Sequence, residues 1–165
     1  MKNTVLFKTL IDILFYLHAF ALPGLIVLVP LGAADISKIN FNIESWSLLY
    51  WCLLIVSLIV FIAFLRGLYF LRIVARFLLS KKYFTDRFIL NIKKSGIHFL
   101  IAGVLDFTLL IGVWIFNLYN GKVEFEFSMS TITPLFITII GLFFIIQSKT
   151  FMLAKGFKEE NELTV

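Results

Sequence analysis

The sequence predicts an all-α membrane protein, a four-transmembrane-helix bundle, and three observations lead there. Of its 165 residues, 61% are hydrophobic and 15% charged, with a mean hydropathy of +1.00; soluble domains carry roughly 45–50% apolar and about 25% charged residues. Four apolar segments reach or approach the roughly 20 residues that a helix needs to cross about 30 Å of hydrocarbon. The basic residues fall almost entirely on one side of those segments. The chain reads as one membrane domain over 1–165, with spans at about 9–31, 46–70, 97–118 and 131–153, a basic connection over 71–96 and a tail over 154–165.

The first span begins at Thr9 and ends at Leu31. Lys2 and Lys8 before it and Gly32-Ala33-Ala34 after it have the outline of a removable signal peptide. Signal h-regions, however, run about 7–15 residues; this stretch is longer and holds Asp12 and His18, so it is expected to remain. The second span, from Trp46, and the third, Ile97 to Leu118, meet the length outright. The fourth, Thr131 to Ser148, is slightly short, and a helical continuation through Phe151, Met152 and Leu153 lengthens it. Pro134 suits a first helical turn, where its missing N–H leaves nothing unpaired.

Orientation follows from lysine and arginine, because positively charged loops stay in the cytoplasm. Lys2 and Lys8 precede the first span; Arg66, Arg72, Arg76, Lys81, Lys82, Arg87, Lys93 and Lys94 separate the second from the third; Lys149, Lys155 and Lys158 follow the fourth. Of the 15 basic residues only Lys38 and Lys122 fall opposite. This positive-inside pattern predicts a multi-pass protein of the inner membrane with both termini in the cytoplasm.

The two outer loops alternate. Ile39, Phe41 and Ile43, and then Val123, Phe125 and Phe127 after the turn dipeptide Asn120-Gly121, are each interleaved with polar residues, the period of a half-buried strand. A small two-stranded extracytoplasmic sheet would pair them and bring Lys38 near Glu124 or Glu126. On the inner side, Leu71, Val74, Ala75, Leu78 and Leu79 continue an apolar stripe past the second span while Arg72 and Arg76 share another face. A break follows at Lys81 to Asp86. Thr85 then caps a new helix, with Phe84 placed as a hydrophobic staple on Ile89. Phe88, Ile89 and Ile92 form its apolar face, Arg87, Asn91, Lys93 and Lys94 lie outside, and Gly96 marks a bend into the third span. The simplest use of these charges is contact with anionic lipid; the sharper one is a docking face for a cytoplasmic protein.

Ionisable groups within a span are costly and are functional suspects. His18 and Asp106 each lie about nine residues in from the cytoplasmic side, hence about 13 Å deep. That matched depth allows an intramembrane polar pair able to hold a proton, or one that only fixes packing. Asp12, Arg66, His98 and Lys149 lie near the inner interface, where snorkelling or salt-bridge clusters are ordinary.

Other chemistry is missing from the sequence. The single cysteine, Cys52, has no partner for a disulfide or a Cys-based zinc site. No His/Glu cluster has metal-ligand spacing and no glycine-rich phosphate loop occurs, so no enzyme activity, cofactor or metal is expected. The spans lack the polar stripe of a channel lining. The net charge of +5 is distributed by membrane side instead of along a recognition element, so no direct nucleic-acid binding is expected.

Two phrases carry a family likeness. Lys81-Lys82-Tyr83-Phe84-Thr85-Asp86-Arg87-Phe88-Ile89-Leu90-Asn91-Ile92-Lys93-Lys94-Ser95-Gly96 and the ending Phe157-Lys158-Glu159-Glu160-Asn161-Glu162-Leu163-Thr164-Val165 resemble the "pFt"-plus-basic-helix and acidic "EN-acidic-LT-aliphatic" hallmarks of the bacterial four-span membrane family called domain of unknown function 2975. Lys82-Tyr83 stands where that family has Gly-Lys-Pro or similar. The resemblance extends to length and span layout. It implies a small inner-membrane protein, often encoded beside a short helix-turn-helix transcription factor, with no catalytic residues.

The expected partners are therefore the lipid bilayer and a cytoplasmic protein, with a homo-oligomer left open. Docking would use Arg72, Arg76, Phe84, Thr85, Arg87, Asn91, Lys93 and Lys94 together with tail residues Glu159, Glu160, Asn161, Glu162, Leu163 and Val165. The tail acids could instead fold back onto Arg72, Arg76, Lys93 or Lys94. The alternative reading is a small proton-coupled transporter or exporter subunit using His18 and Asp106.

Overall fold

The computed structural model describes residues 2–28, 48–80, 83–119, 121 and 129–163. They form four helices, α1 (Lys2–Leu28), α2 (Leu48–Leu79), α3 (Asp86–Tyr119) and α4 (Met129–Leu163). Each contains a stretch long and apolar enough to cross a membrane, which makes this an all-helical, multi-pass membrane protein. Large apolar side chains face outward along every helix, among them Phe20, Ile59, Ile115, Phe136 and Ile139, a surface that lipid and not water must cover.

The helices outrun the expected spans. At 1.5 Å per residue, the 32 residues of α2 extend roughly 48 Å, well beyond the hydrocarbon layer. The connection expected over 71–96 is thus mostly helix, the end of α2 and the start of α3, with turn or bend backbone at Ser80 and over 83–85. Gly96 does not bend the chain there, since α3 is continuous from Asp86 to Tyr119. The tail over 154–163 is helical too, as the last turns of α4. Pro134 falls in the second turn and not the first, because α4 starts at Met129, two residues before the expected Thr131.

No strand occurs among the described residues. The segments expected to pair as an outer sheet, 39–43 and 123–127, lie outside them. Gly121 itself has φ +73°, and its N–H donates to Leu118 O at 3.0 Å, so it ends α3 as a left-handed helix cap.

The helices pack in chain order, α1 on α2, α2 on α3 and, most extensively, α3 on α4. That last contact is close because it is lined by small residues, the usual solution where lipid supplies no hydrophobic drive between helices. A Cβ at Gly96 would lie 2.7 Å from Gly141 O, and one at Gly141 would lie 2.5 Å from the backbone N of Leu100. Between α2 and α3, Ser95 Oγ donates to Gly67 O at 2.9 Å. Ile11, Leu68, Leu71 and Phe99 then form a core reached by all four helices through Ile137, Ile140 and Phe144 of α4.

Candidate functional site

At the basic end, α2 and α3 form a helical hairpin whose inner face is filled and whose outer face is charged. Val74, Phe88, Ile89 and Ile92 are buried together, with Phe77, Leu78 and Phe151 packed against them. Phe88 stands edge-on to Phe77, Tyr83 and Phe151. Thr85 Oγ1 accepts the Phe88 N–H at 3.4 Å, satisfying a first-turn donor as the capping pattern predicts. Phe84 is exposed, and its ring meets the Lys158 ammonium at 5.8 Å while Ile89 turns into the core.

Among the docking candidates, Arg76, Arg87, Lys93 and Lys94 are exposed, with Lys94 also over the Phe70 ring at 5.5 Å. Asn91 is half-buried and its amide donates to Arg87 O at 2.6 Å. Arg72 does something different. Its Nε donates to Asp12 Oδ1 at 2.5 Å, its Nη2 donates to Tyr16 OH at 2.5 Å, and its guanidinium lies 5.3 Å from the Phe15 ring centre. Lys8 Nζ completes the cluster, 3.0 Å from Asp12 Oδ2. This is the salt-bridge cluster that Asp12 near the interface allows. It ties α1 to α2 and removes Arg72 from a docking face.

Among the described residues, no ion pair joins Glu159 or Glu162 to Arg72, Arg76, Lys93 or Lys94. Glu159 pairs with Lys155 at 3.4 Å and Glu162 with Lys158 at 3.6 Å, both one turn apart on α4, a spacing that brings side chains together on a helix. Glu160 and Asn161 are exposed, and each takes part in a further polar or electrostatic contact. Leu163 closes the helix, and Val165 lies outside the described residues. Lys155 also reaches across to Asp86 Oδ1 at 2.7 Å. That bond joins the end of α4 to the first turn of α3, where Asp86 itself faces the positive end of the helix dipole.

His18 and Asp106 come together in a looser sense than a pair. Both line one cavity of about 400 Å³ between the four helices, with Leu25, Phe61, Phe64 and Ile137 among its walls. His18 Nδ1 lies 2.8 Å from Leu14 O, and its ring packs 5.2 Å from Phe64 and 6.0 Å from Phe61. No hydrogen bond or ion pair joins His18 to Asp106 among the described residues. Matched depth gave the shared cavity; it could not give the side-chain direction that decides contact. His98, also flagged near the interface, has Nδ1 2.8 Å from Lys94 O and stacks near Phe70.

Sequence reasoning missed the Gly96–Gly141 crossing and the Ser95–Gly67 bond. Gly96 and Gly103, seven residues and so about two turns apart on one helix, were the available signal for the first.

Among the described residues, no group of three His, Cys, Asp or Glu is placed to hold a metal ion. The arrangement defines a class, a four-helix multi-pass membrane protein with a packed basic end and a cavity in its other half. Comparison with protein-family models, curated proteins and solved structures finds no match for this chain.

Proposed function

We propose that this chain is a non-enzymatic signalling or regulatory protein of the bacterial inner membrane that docks a cytoplasmic protein on its basic hairpin. The observation that carries the reading is the hairpin's build. Arg76, Arg87, Lys93 and Lys94 are exposed on helices that pack together around Phe88, so the charges are presented from helical surfaces, not from a loose loop. The positive-inside distribution puts this end, and both termini, in the cytoplasm. Resemblance to the domain of unknown function 2975 family supports a short helix-turn-helix regulator as the partner. The outer segments 39–43 and 123–127 pair as a two-stranded sheet in this reading, and cysteines placed along them should crosslink with a period of two.

The test uses the purified full chain and the regulator encoded beside it. Replacing Arg76, Arg87, Lys93 and Lys94 by glutamate should weaken binding at least about tenfold, and wild-type binding should weaken as salt rises, since exposed charges are screened over about 10 Å at 0.1 M. Salt-independent binding that survives the substitutions removes the reading. A cytoplasm-only reporter enzyme fused after Val165 should be active, and one inserted at Asn120 inactive.

A second reading is favoured by the cavity, whose wall includes both His18 and Asp106. There the chain is a small proton-coupled transporter or exporter subunit, and Asp106→Asn abolishes its activity while leaving hairpin docking intact.

A further inference from the structure

The cavity lies in the half of the bundle that hairpin docking does not use. Its volume of about 400 Å³ falls in the roughly 300–1,000 Å³ range of small-molecule sites. The walls are mainly apolar side chains of α1, α2 and α4, with the hydroxyls of Ser57 and Thr133 beside them. Of the lining residues Asp106 is the one acid, His18 is the one other titratable group, and no lysine or arginine is present. Among the described residues the Asp106 carboxylate makes no hydrogen bond or ion pair. The His18 ring is held by Leu14 O and Phe64.

An ionised carboxylate at this depth is expensive without a counter-charge, and what could supply one is limited by the walls. Magnesium keeps much of its own water shell, and calcium takes about six to eight oxygen ligands. Asp106, Ser57 and Thr133 do not provide that number. A cation whose charge is buried within an apolar shell has little hydration to lose, fits hydrocarbon walls, and is attracted to the faces of aromatic rings. Phe61 and Phe64 supply two such rings at the cavity.

We propose that this cavity is a binding site for a hydrophobic monovalent cation of the quaternary ammonium or phosphonium kind, with Asp106 as its counter-charge and Phe61 and Phe64 as its aromatic wall. The inference rests on the transporter reading and names the ligand class of that cavity. The second observation behind it is charge complementarity, a lone acid in an apolar chamber whose described lining holds no lysine or arginine.

The probe is radiolabelled tetraphenylphosphonium, bound to the full chain in detergent, with the saturable part defined by competition with unlabelled ion. One saturable site per chain is expected. Asp106→Asn should weaken it at least tenfold, Asp106→Glu should retain it, and Asp12→Asn, on α1 but outside the cavity lining, should leave it unchanged. Ser57→Trp, which fills the chamber without touching the charge, should also remove binding and covers the case in which Asp106→Asn does not fold. The isosteric anion tetraphenylborate should compete at least tenfold less well. Equal competition by cation and anion, or binding that survives both Asp106→Asn and Ser57→Trp, marks a merely apolar chamber of the sort an acyl chain fills and overturns the proposal. Proton release on binding, followed in weak buffer, tests the transporter reading by itself. Saturable cation binding without proton release keeps the site and removes proton coupling, whereas no saturable binding removes the ligand class.

Discussion

The two halves of the bundle are made of the same helices, yet they are packed by different rules. Towards the basic end, α2 and α3 bury Leu68, Leu71, Val74, Ala75, Phe88, Ile92, Ser95, Phe99 and Ala102, and α4 lies close enough that Gly141 would strike α3 if it carried a side chain. Beyond Gly103 no described residue of α3 is buried, and none is buried in α2 before Ala63. Gly112, in the open half, has nothing within 4 Å of where its Cβ would be. In lipid, helices approach where small residues let backbones touch and where polar links hold them. The basic end has both, through Gly96, Gly141, Ser95 and the Asp12–Arg72 bond. The close approach of α3 and α4 extends to Gly103, where a Cβ would lie 2.8 Å from Pro134 O, and the cavity lined by Asp106 and Thr133 lies beside it.

The strongest way to break this contrast is to remove matched aromatics. Phe88→Ala empties a site whose side chain is 1% exposed and should destabilise the protein by about 3–5 kcal/mol, read by reversible unfolding in mixed micelles. Phe61→Ala, at the cavity, should lose no more than about 1 kcal/mol. Equal losses would mean that the halves are packed alike.

Next come the glycines. Gly141→Val pushes a branched side chain into the backbone of α3 and should lose about 1–3 kcal/mol, while Gly112→Ala should fall within about 0.5 kcal/mol of wild type. Arginine exchanges sharpen the comparison within the basic end itself. Arg72→Met breaks a cluster that joins α1 to α2, with Asp12 and Arg72 side chains 16% and 17% exposed, and should lose about 1 kcal/mol. The exposed Arg76→Met should change stability by less than about 0.5 kcal/mol and affect partner binding instead. The smallest effect belongs to Lys155→Met. It frees the end of α4 from Asp86, so amide exchange should quicken over 150–163 while the melting temperature barely moves.

Much of this architecture is readable along the chain. Length, composition and the placement of basic residues are local quantities, and they predict four apolar helices in the order the structure has them, each overlapping its expected span. Phe88, Ile89 and Ile92 were legible as an inward face because helical periodicity alone assigns them to one side. Thr85 was legible as a cap because capping involves residues only a few positions apart. The span limits were less so: hydropathy falls where Arg72 and Lys94 enter, but a helix is held by backbone bonds that charged side chains do not interrupt. The candidate site divides in the same manner. Depth placed His18 and Asp106 at one level, since rise per residue is constant; whether they face each other depends on how α1 and α3 are rotated within the bundle. Only the packed structure decided that they share a cavity without touching, that Arg72 belongs to Asp12 and not to a docking face, and that Gly96 is a contact instead of a bend. Each of those outcomes depends on residues far apart in the chain, and a sequence read one segment at a time carries no distance between them.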